Sequence, residues 1–162
     1  MYRIGELWVD GKLGIGEEHV ASNVARELVT SVSRKGRRRG RQARVLICTP
    51  SGEEHSLSCH VLQSFLQSRG FDVSNISPSA PAETVLYHIE KEKPDIVMIS
   101  ITLGENVPAG QRLISSIRSA SDVPVLVGGQ QVSGGQKFKG ATACSEPLER
   151  VPGLVRGLLR PN

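Results

Sequence analysis

Apolar and polar positions follow two alternating patterns over most of the chain. Short β-branched and apolar runs predict five strands, at residues 44–49, 71–76, 95–100, 123–127 and 141–144. Amphipathic stretches between and after them predict helices, at residues 56–69, 82–93, 108–119 and 147–159. Strands that alternate with helices pair in parallel, and several of these runs are apolar almost throughout, as strands covered on both faces must be. The pattern therefore predicts one α/β domain.

Five strands within about 120 residues favour the flavodoxin-like (Rossmann-type) strand order 2-1-3-4-5. In that fold, ligands bind outside the carboxyl ends of the strands, at the point where the strand order reverses. The loops after the first, third and fourth predicted strands are therefore the place to look for chemistry.

A separate helical pattern precedes this domain. Residues 15–33 predict one helix, with acidic residues in its first turn, where the helix dipole favours them. Val20, Val24 and Leu28 recur at every fourth position and form an apolar stripe. We expect a short helical cap at 1–33, a linker at 34–43 and the α/β domain at 44–162.

The basic character of the chain is concentrated at one place. Seven of its positive charges and no acid lie in residues 34–44, so subtracting them from the net charge of +4 leaves −3 elsewhere. Arginine and lysine clusters can bind nucleic acid through phosphate. Glycines at 36 and 40 favour the other interpretation, a solvated and self-repelling hinge.

The spacing of the cysteines and the length of the apolar runs limit where in the cell the protein is expected. Cys48, Cys59 and Cys144 are scattered and form no C-x-x-C pair, which argues against a disulfide framework or a structural zinc site. No apolar run approaches the roughly 20 residues that span a bilayer, and the first ten residues do not resemble a signal peptide. We expect a cytoplasmic protein with no membrane contact.

Three kinds of site that are common in this fold do not fit particular residues of this sequence. Glu53 and Glu54 in the first loop would repel the phosphate of a flavin or mononucleotide. A phosphoryl-accepting receiver needs an Asp at the end of the third strand, where Ser100 stands. The glycine motif G-x-G-x-x-G of dinucleotide-binding folds is absent after the first strand.

With those three kinds of site excluded, the candidate in the first loop is a histidine with a carboxylate two residues before it. A metal-binding imidazole typically donates its second N–H to a carboxylate, and Glu53 with His55 has that composition. Gly128 and Gly129 end the fourth strand, where residues without Cβ would let a bulky ligand lie against the backbone, although an ordinary tight turn also explains them. Ser100 and Thr102 add hydroxyls to the same edge.

These residues resemble the motifs of the cobalamin-binding domain family, D-x-H-x-x-G, S-x-L and GG. Residues 53–58, 100–102 and 128–129 stand at the three motifs, separated by 41 and 25 residues. The resemblance implies that His55 binds cobalt from below and that a slot lined by the Ser and Gly motifs holds the nucleotide tail. Two positions depart from the pattern: Glu53 replaces Asp, and Ser58 replaces Gly, which would tighten the slot.

The first residues are similar to the cap of the cobalamin-dependent photoreceptors of the CarH/LitR type. Trp8 would cover the upper axial group, with Glu18 and His19 nearby. The DNA-binding winged helix and two further cap helices of those photoreceptors have no counterpart in this sequence. The histidine that takes the upper position of cobalt after illumination is replaced by Val9.

The resemblance implies a sensory or regulatory module and not an enzyme. Adenosylcobalamin is the expected cofactor, light the expected signal, and self-association or a regulatory protein partner the expected output. Two alternatives stay open: a corrinoid carrier for methyltransferases, using methylcobalamin, and a sensor of the same fold that binds haem.

Overall fold

The computed structural model describes residues 11–12, 14–32 and 43–159. Helix α1 (Ile15–Val32) begins where the Glu17 carboxylate accepts a hydrogen bond from the Gly14 N–H, one half of a capping box. The sheet contains β1 (Arg44–Cys48), β2 (Asp72–Asn75), β3 (Ile96–Ser100), β4 (Val125–Gly128) and β5 (Thr142–Ala143). The helices of the domain are α2 (Leu57–Ser68), α3 (Ala82–Glu92), α4 (Val107–Ala120), α5 (Gln130–Ser133) and α6 (Val151–Leu158), and single 3₁₀ turns at Gly104–Asn106 and Leu148–Arg150 precede α4 and α6.

The five strands are all parallel, in the order β2-β1-β3-β4-β5. The predicted α/β class and strand order are therefore confirmed. The chain moves one way from β1 to β2 and the other way from β1 to β3, so the order reverses between β1 and β3. Their carboxyl ends mark the expected ligand site.

Each face of the sheet carries its own core. Leu46, Val97 and Ile99 face α3 and α4, and Val45, Ile47 and Met98 face α2 and α6. The side chains alternate between the faces because successive residues of a strand point in opposite directions. This double burial explains why the central strands are apolar throughout.

Local sequence sets the ends of the elements. Helix α2 ends in a Schellman motif: Gly70 has a positive φ of 88°, its N–H bonds the Gln67 carbonyl, and the Phe71 N–H bonds the Leu66 carbonyl. Leu66 and Phe71 are both buried, so this turn also delivers the chain into β2. Strand β5 is shorter than predicted, and α5 was not predicted.

Helix α1 packs against α2, the helix that follows the first loop. Ala21, Ala25 and Val29 are half-buried, whereas Val20, Val24 and Leu28 are 63%, 49% and 60% exposed. The apolar stripe identified in the sequence therefore faces outward, and small side chains face the domain. The rest of the predicted cap and most of the basic linker lie outside the described residues. No helix among the described residues is long and apolar enough to cross a membrane.

Candidate functional site

The loop after β1 is fixed by the neighbouring loop before α3. Thr49 Oγ1 donates to the Glu53 carbonyl at 2.9 Å and accepts the Ser79 N–H at 2.8 Å. The Ser79 hydroxyl accepts the Gly52 N–H at 3.0 Å, and Gly52 turns the chain with a φ of 88°. Because both loops leave the carboxyl edge of the sheet, these bonds hold Glu53 at the point where the strand order reverses.

The Glu53 carboxylate is fully buried and accepts five hydrogen bonds. Its Oε2 accepts from the backbone N–H of Thr102 at 2.9 Å, the N–H of Leu103 at 3.0 Å and the side-chain amide of Asn106 at 3.0 Å. Its Oε1 accepts from the His55 N–H at 3.1 Å and lies 2.7 Å from His55 Nδ1. The loops after β1 and β3 are thus joined through one carboxylate.

These donors decide the charge of the carboxylate. Burial by itself raises the pKa of Glu53, but the bonds from Leu103, Asn106, Thr102 and His55 outweigh it and hold the pKa below its usual value. Glu53 is therefore ionised at neutral pH and can only accept hydrogen bonds.

The ionised carboxylate fixes the tautomer of His55. The ring must carry its proton on Nδ1 to bond Glu53, which leaves the lone pair on Nε2. The His55 side chain is 55% exposed although its anchor is buried. This is the arrangement of a metal-binding imidazole with a carboxylate behind it.

The described residues contain no group of three or more His, Cys, Asp or Glu side chains that could hold a metal ion. One imidazole is too few ligands to capture a free ion, whose protein sites usually supply at least three. A metal already held by a macrocycle needs only an axial ligand. An exposed imidazole whose Nδ1 is bonded to Glu53 fits the axial position of a metal held by a corrin or a porphyrin.

Beside this pair, three of the predicted residues line the same edge. Ser58 Oγ lies 3.1 Å from Ser100 Oγ, and Ser100 is the register partner of Gly128. A Cβ at Gly128 would make only an ordinary contact, 3.6 Å from the Cys144 carbonyl oxygen, so internal packing does not require glycine there. Burial raises the pKa of the nearby Cys59 thiol, which keeps it neutral among the serine hydroxyls.

Gly129 has a different role from Gly128. Its φ is +101°, and a Cβ there would lie 2.7 Å from the Ile101 nitrogen and even closer to the Ile101 carbonyl oxygen. This close approach of two loops requires glycine, whatever is bound. Gly129 is thus explained by backbone packing, which is neither the ligand contact nor the ordinary tight turn considered from the sequence, and Gly128 stays open to a ligand.

The structure brings most of the sequence-predicted site residues to one edge: Glu53, His55, Ser58, Ser100, Thr102, Gly128 and Gly129. Thr102 contributes its backbone N–H to Glu53. Trp8 lies outside the described residues. Glu18 and His19 belong to α1, but their side chains also lie outside them.

Sequence reasoning missed Asn106 and Gln131. An Asn directly before Val107-Pro108 is typical of a helix N-cap. Instead, its side chain makes no capping bond and turns inward to Glu53. Gln131 donates to the Thr102 carbonyl at 3.0 Å, a contact for which the sequence gives no local signal.

Comparison with known proteins identifies the family. The family described as "B12 binding domain" matches residues 43–146, well over half of the chain. This chain belongs to the B12-binding domain family. The predicted family is confirmed, and the match covers all seven residues gathered at the sheet edge.

This B12-binding domain has low sequence identity to a characterised relative. The HTH-type transcriptional repressor CarH of Myxococcus xanthus is 27% identical over 128 residues, which cover 78% of this chain. They cover 42% of the repressor, so the chain spans less than half of that relative.

Solved structures share the fold. The monomethylamine corrinoid protein of Methanosarcina barkeri gives a TM-score of 0.74 at 14% identity, over 95% of this chain and 76% of that one. A cobalamin-binding protein from Desulfitobacterium hafniense gives 0.63 at 17% identity, over 97% of this chain and 77% of that one. At these identities, the likeness concerns the fold alone.

Proposed function

We propose that this B12-binding domain holds cobalamin with His55 as the lower axial ligand of cobalt and acts as a sensory module. The observation that carries the proposal is the pairing of the exposed His55 ring with the buried, ionised Glu53. Glu53 holds the proton on Nδ1 and leaves the Nε2 lone pair for a metal. Ser58, Ser100 and Gly128 would line the slot for the nucleotide tail.

The sensory role draws on two further features. CarH, which the chain resembles over 128 residues, is named as a transcriptional repressor. The spacing of Trp8, Glu18 and His19 is similar to that of the photoreceptor caps. In this proposal the cofactor is adenosylcobalamin, Trp8 would cover its upper face, and light would remove the upper group. The chain then acts through protein association and not by catalysis.

One absorption experiment tests the sensory role. Purified protein is loaded with adenosylcobalamin in the dark, and its spectrum is recorded before and after green light. We expect a light-dependent change from cleavage of the cobalt–carbon bond. A light-stable complex that passes a methyl group from methylcobalamin to a thiol would contradict the sensor and support the corrinoid carrier. Preferential binding of added haem, with a Soret band, would contradict both.

The state after illumination is a sharper expectation. Val9 has no lone pair, so cobalt would take water or hydroxide above the ring, or His19 would bind there. A water ligand would make the spectrum change with pH, because a metal lowers the pKa of its bound water. A bis-imidazole spectrum that survives His19→Ala would contradict both options.

The exposed stripe Val20, Val24 and Leu28 supports self-association. Contiguous exposed apolar surface typically marks a contact site, and a second copy could complete the cap symmetrically. We expect light scattering of the loaded protein to show a dimer or larger assembly that Val24→Asp weakens. Glu27→Gln, on an exposed position of the same helix, is the control. A monomer at high concentration would contradict this part of the proposal.

A further inference from the structure

The Thr102–Leu103 peptide lies between two side chains from different segments, Glu53 in the loop after β1 and Gln131 in α5. Its carbonyl oxygen accepts a hydrogen bond from Gln131 Nε2 at 3.0 Å. Its N–H, on Leu103, donates to Glu53 Oε2 at 3.0 Å. The other carboxylate oxygen of Glu53 bonds His55 Nδ1 at 2.7 Å. A continuous hydrogen-bonded chain thus runs from Gln131 through one peptide group and one carboxylate to the His55 ring.

The backbone around Gln131 holds this chain in place. The Gln131 N–H donates to the Ile101 carbonyl at 3.2 Å, and the Ile101 N–H donates to the Gly128 carbonyl at 3.0 Å. Gly129 permits the approach because any Cβ there would collide with the Ile101 backbone. The segment after β4 is therefore pressed directly against the loop whose amides hold Glu53.

Hydrogen bonds in such a chain strengthen one another. A peptide whose carbonyl accepts a bond becomes a better donor at its N–H, because the group is polarised along its length. The Gln131 bond therefore strengthens the bond from the Leu103 N–H to Glu53, and through that carboxylate it favours the Nδ1–H tautomer of His55. Without that donor, the Thr102 carbonyl would lose a partner and the peptide could tilt away from Glu53.

We propose that Gln131 is a positioning residue for His55, acting through the Thr102–Leu103 peptide and Glu53. The inference rests on the proposed role of His55 as cobalt ligand. The segment at the end of β4 and after it would then have two roles. Gly128 would line the slot for the nucleotide tail, and Gln131 would orient the metal-binding imidazole.

Nitrogen NMR of the full chain without cofactor tests this proposal independently of cobalamin binding. The ¹⁵N shifts of the His55 ring report the tautomer directly, and His55→Gln assigns the signals. We expect wild type to show protonated Nδ1. Gln131→Met, which keeps the side-chain length and removes the donor, should raise the population of the Nε2–H tautomer several-fold.

Two further variants complete the design. Gln131→Glu keeps the volume and places an acceptor against the Thr102 carbonyl, so it should change the tautomer in the same direction. Gln130→Glu adds the same charge at the exposed neighbouring position and should leave it unchanged. Cobalamin affinity should fall about 3–10-fold in the Gln131 variants, less than the roughly 10–100-fold typical of a direct partner of a ligand.

The outcomes separate the two hypotheses. A wild-type tautomer ratio in whichever Gln131 variant folds would overturn the positioning role, even if cobalamin binds. A changed ratio in the Gln131 variants, together with a wild-type protein that does not bind cobalamin, would support the positioning role and overturn the proposed function. Equal shifts in Gln130→Glu and Gln131→Glu would overturn the specific path and indicate a general effect of charge.

Discussion

Two histidine–carboxylate pairs in this protein have nearly the same length and very different surroundings. His55 Nδ1 lies 2.7 Å from Glu53, and His88 Nδ1 lies 2.6 Å from Glu92. Glu53 is fully buried, whereas the Glu92 side chain is 33% exposed. The His55 ring is 55% exposed and the His88 ring 25%. In the first pair the anchor is buried and the ring exposed, whereas in the second both members lie partly at the surface of α3.

The origin of the carboxylate charge differs as well. The pKa of Glu92 lies below its usual value chiefly because Ser74 bonds it, with His88 also contributing. The pKa of Glu53 is lowered by backbone amides and Asn106 against the opposing effect of burial. The comparison shows what distinguishes the pair proposed as the ligand site: its carboxylate is buried and is held by donors from a neighbouring loop. Such a carboxylate would keep the ring in one tautomer and one direction.

The largest expected effect separates the two histidines. His55→Ala should lower cobalamin affinity by more than the roughly 10–100-fold expected for loss of an outer partner, because the cobalt loses its ligand. His88→Ala should bind cobalamin as wild type does. Both affinities can be measured by absorption titration. Equal affinities in the two variants would remove the functional distinction between the pairs.

The next effect separates the two carboxylates. Glu53→Gln places an amide against donors that need an acceptor, so we expect a stability loss of about 1–3 kcal/mol and about 10–100-fold weaker cobalamin binding. Glu92→Gln should cost less, about 0.2–1 kcal/mol, as is usual for a partly exposed ion pair. Urea unfolding measures both. A Glu53→Gln protein as stable as Glu92→Gln would mean that the five bonds are energetically unimportant.

The smallest effect is the pH dependence. Because its folded pKa is lowered from the usual 4.5, Glu53 contributes stability that is fully present above about pH 4.5. This contribution is lost as pH falls through the folded pKa. The stability difference between wild type and Glu53→Gln should therefore be constant from pH 7 to about pH 5 and shrink below it. A stability difference between the two proteins that grows as pH falls below about 5 would show that folding raises the pKa of Glu53 instead of lowering it.

Much of the fold was predictable because its signals are local. Val45–Cys48 and Ile96–Ile99 are continuous apolar runs that only a doubly covered strand buries completely. The turn at Gly70 is also a local signal, because glycine is the usual residue at the left-handed position of a Schellman motif. By contrast, β5 has only two residues and α5 only four, too few for any periodicity to show. Their presence depends on the neighbouring loops.

The Glu53–His55 pair was predictable from the sequence, whereas the residues that hold this pair in place were not. Glu53 and His55 stand in one motif, two residues apart, so their pairing is visible in the sequence. Asn106 and Gln131 reach the same network from 53 and 29 residues away along the chain, to Glu53 and Thr102 respectively. Only the strand order brings them there. For α1, the spacing placed Val20, Val24 and Leu28 on one face of the helix but could not show that this face is exposed and that Ala21 and Ala25 are half-buried.

The most direct test of the central claim is electron paramagnetic resonance of the protein loaded with cobalamin and reduced to cobalt(II). An axial nitrogen splits the signal, and its isotope changes the splitting. In protein labelled with ¹⁵N only at histidine, we expect the triplet pattern of ¹⁴N to become a doublet, and we expect His55→Ala to abolish that change. A triplet that persists in the labelled wild type would show that the cofactor's own base still binds cobalt, and would contradict the account.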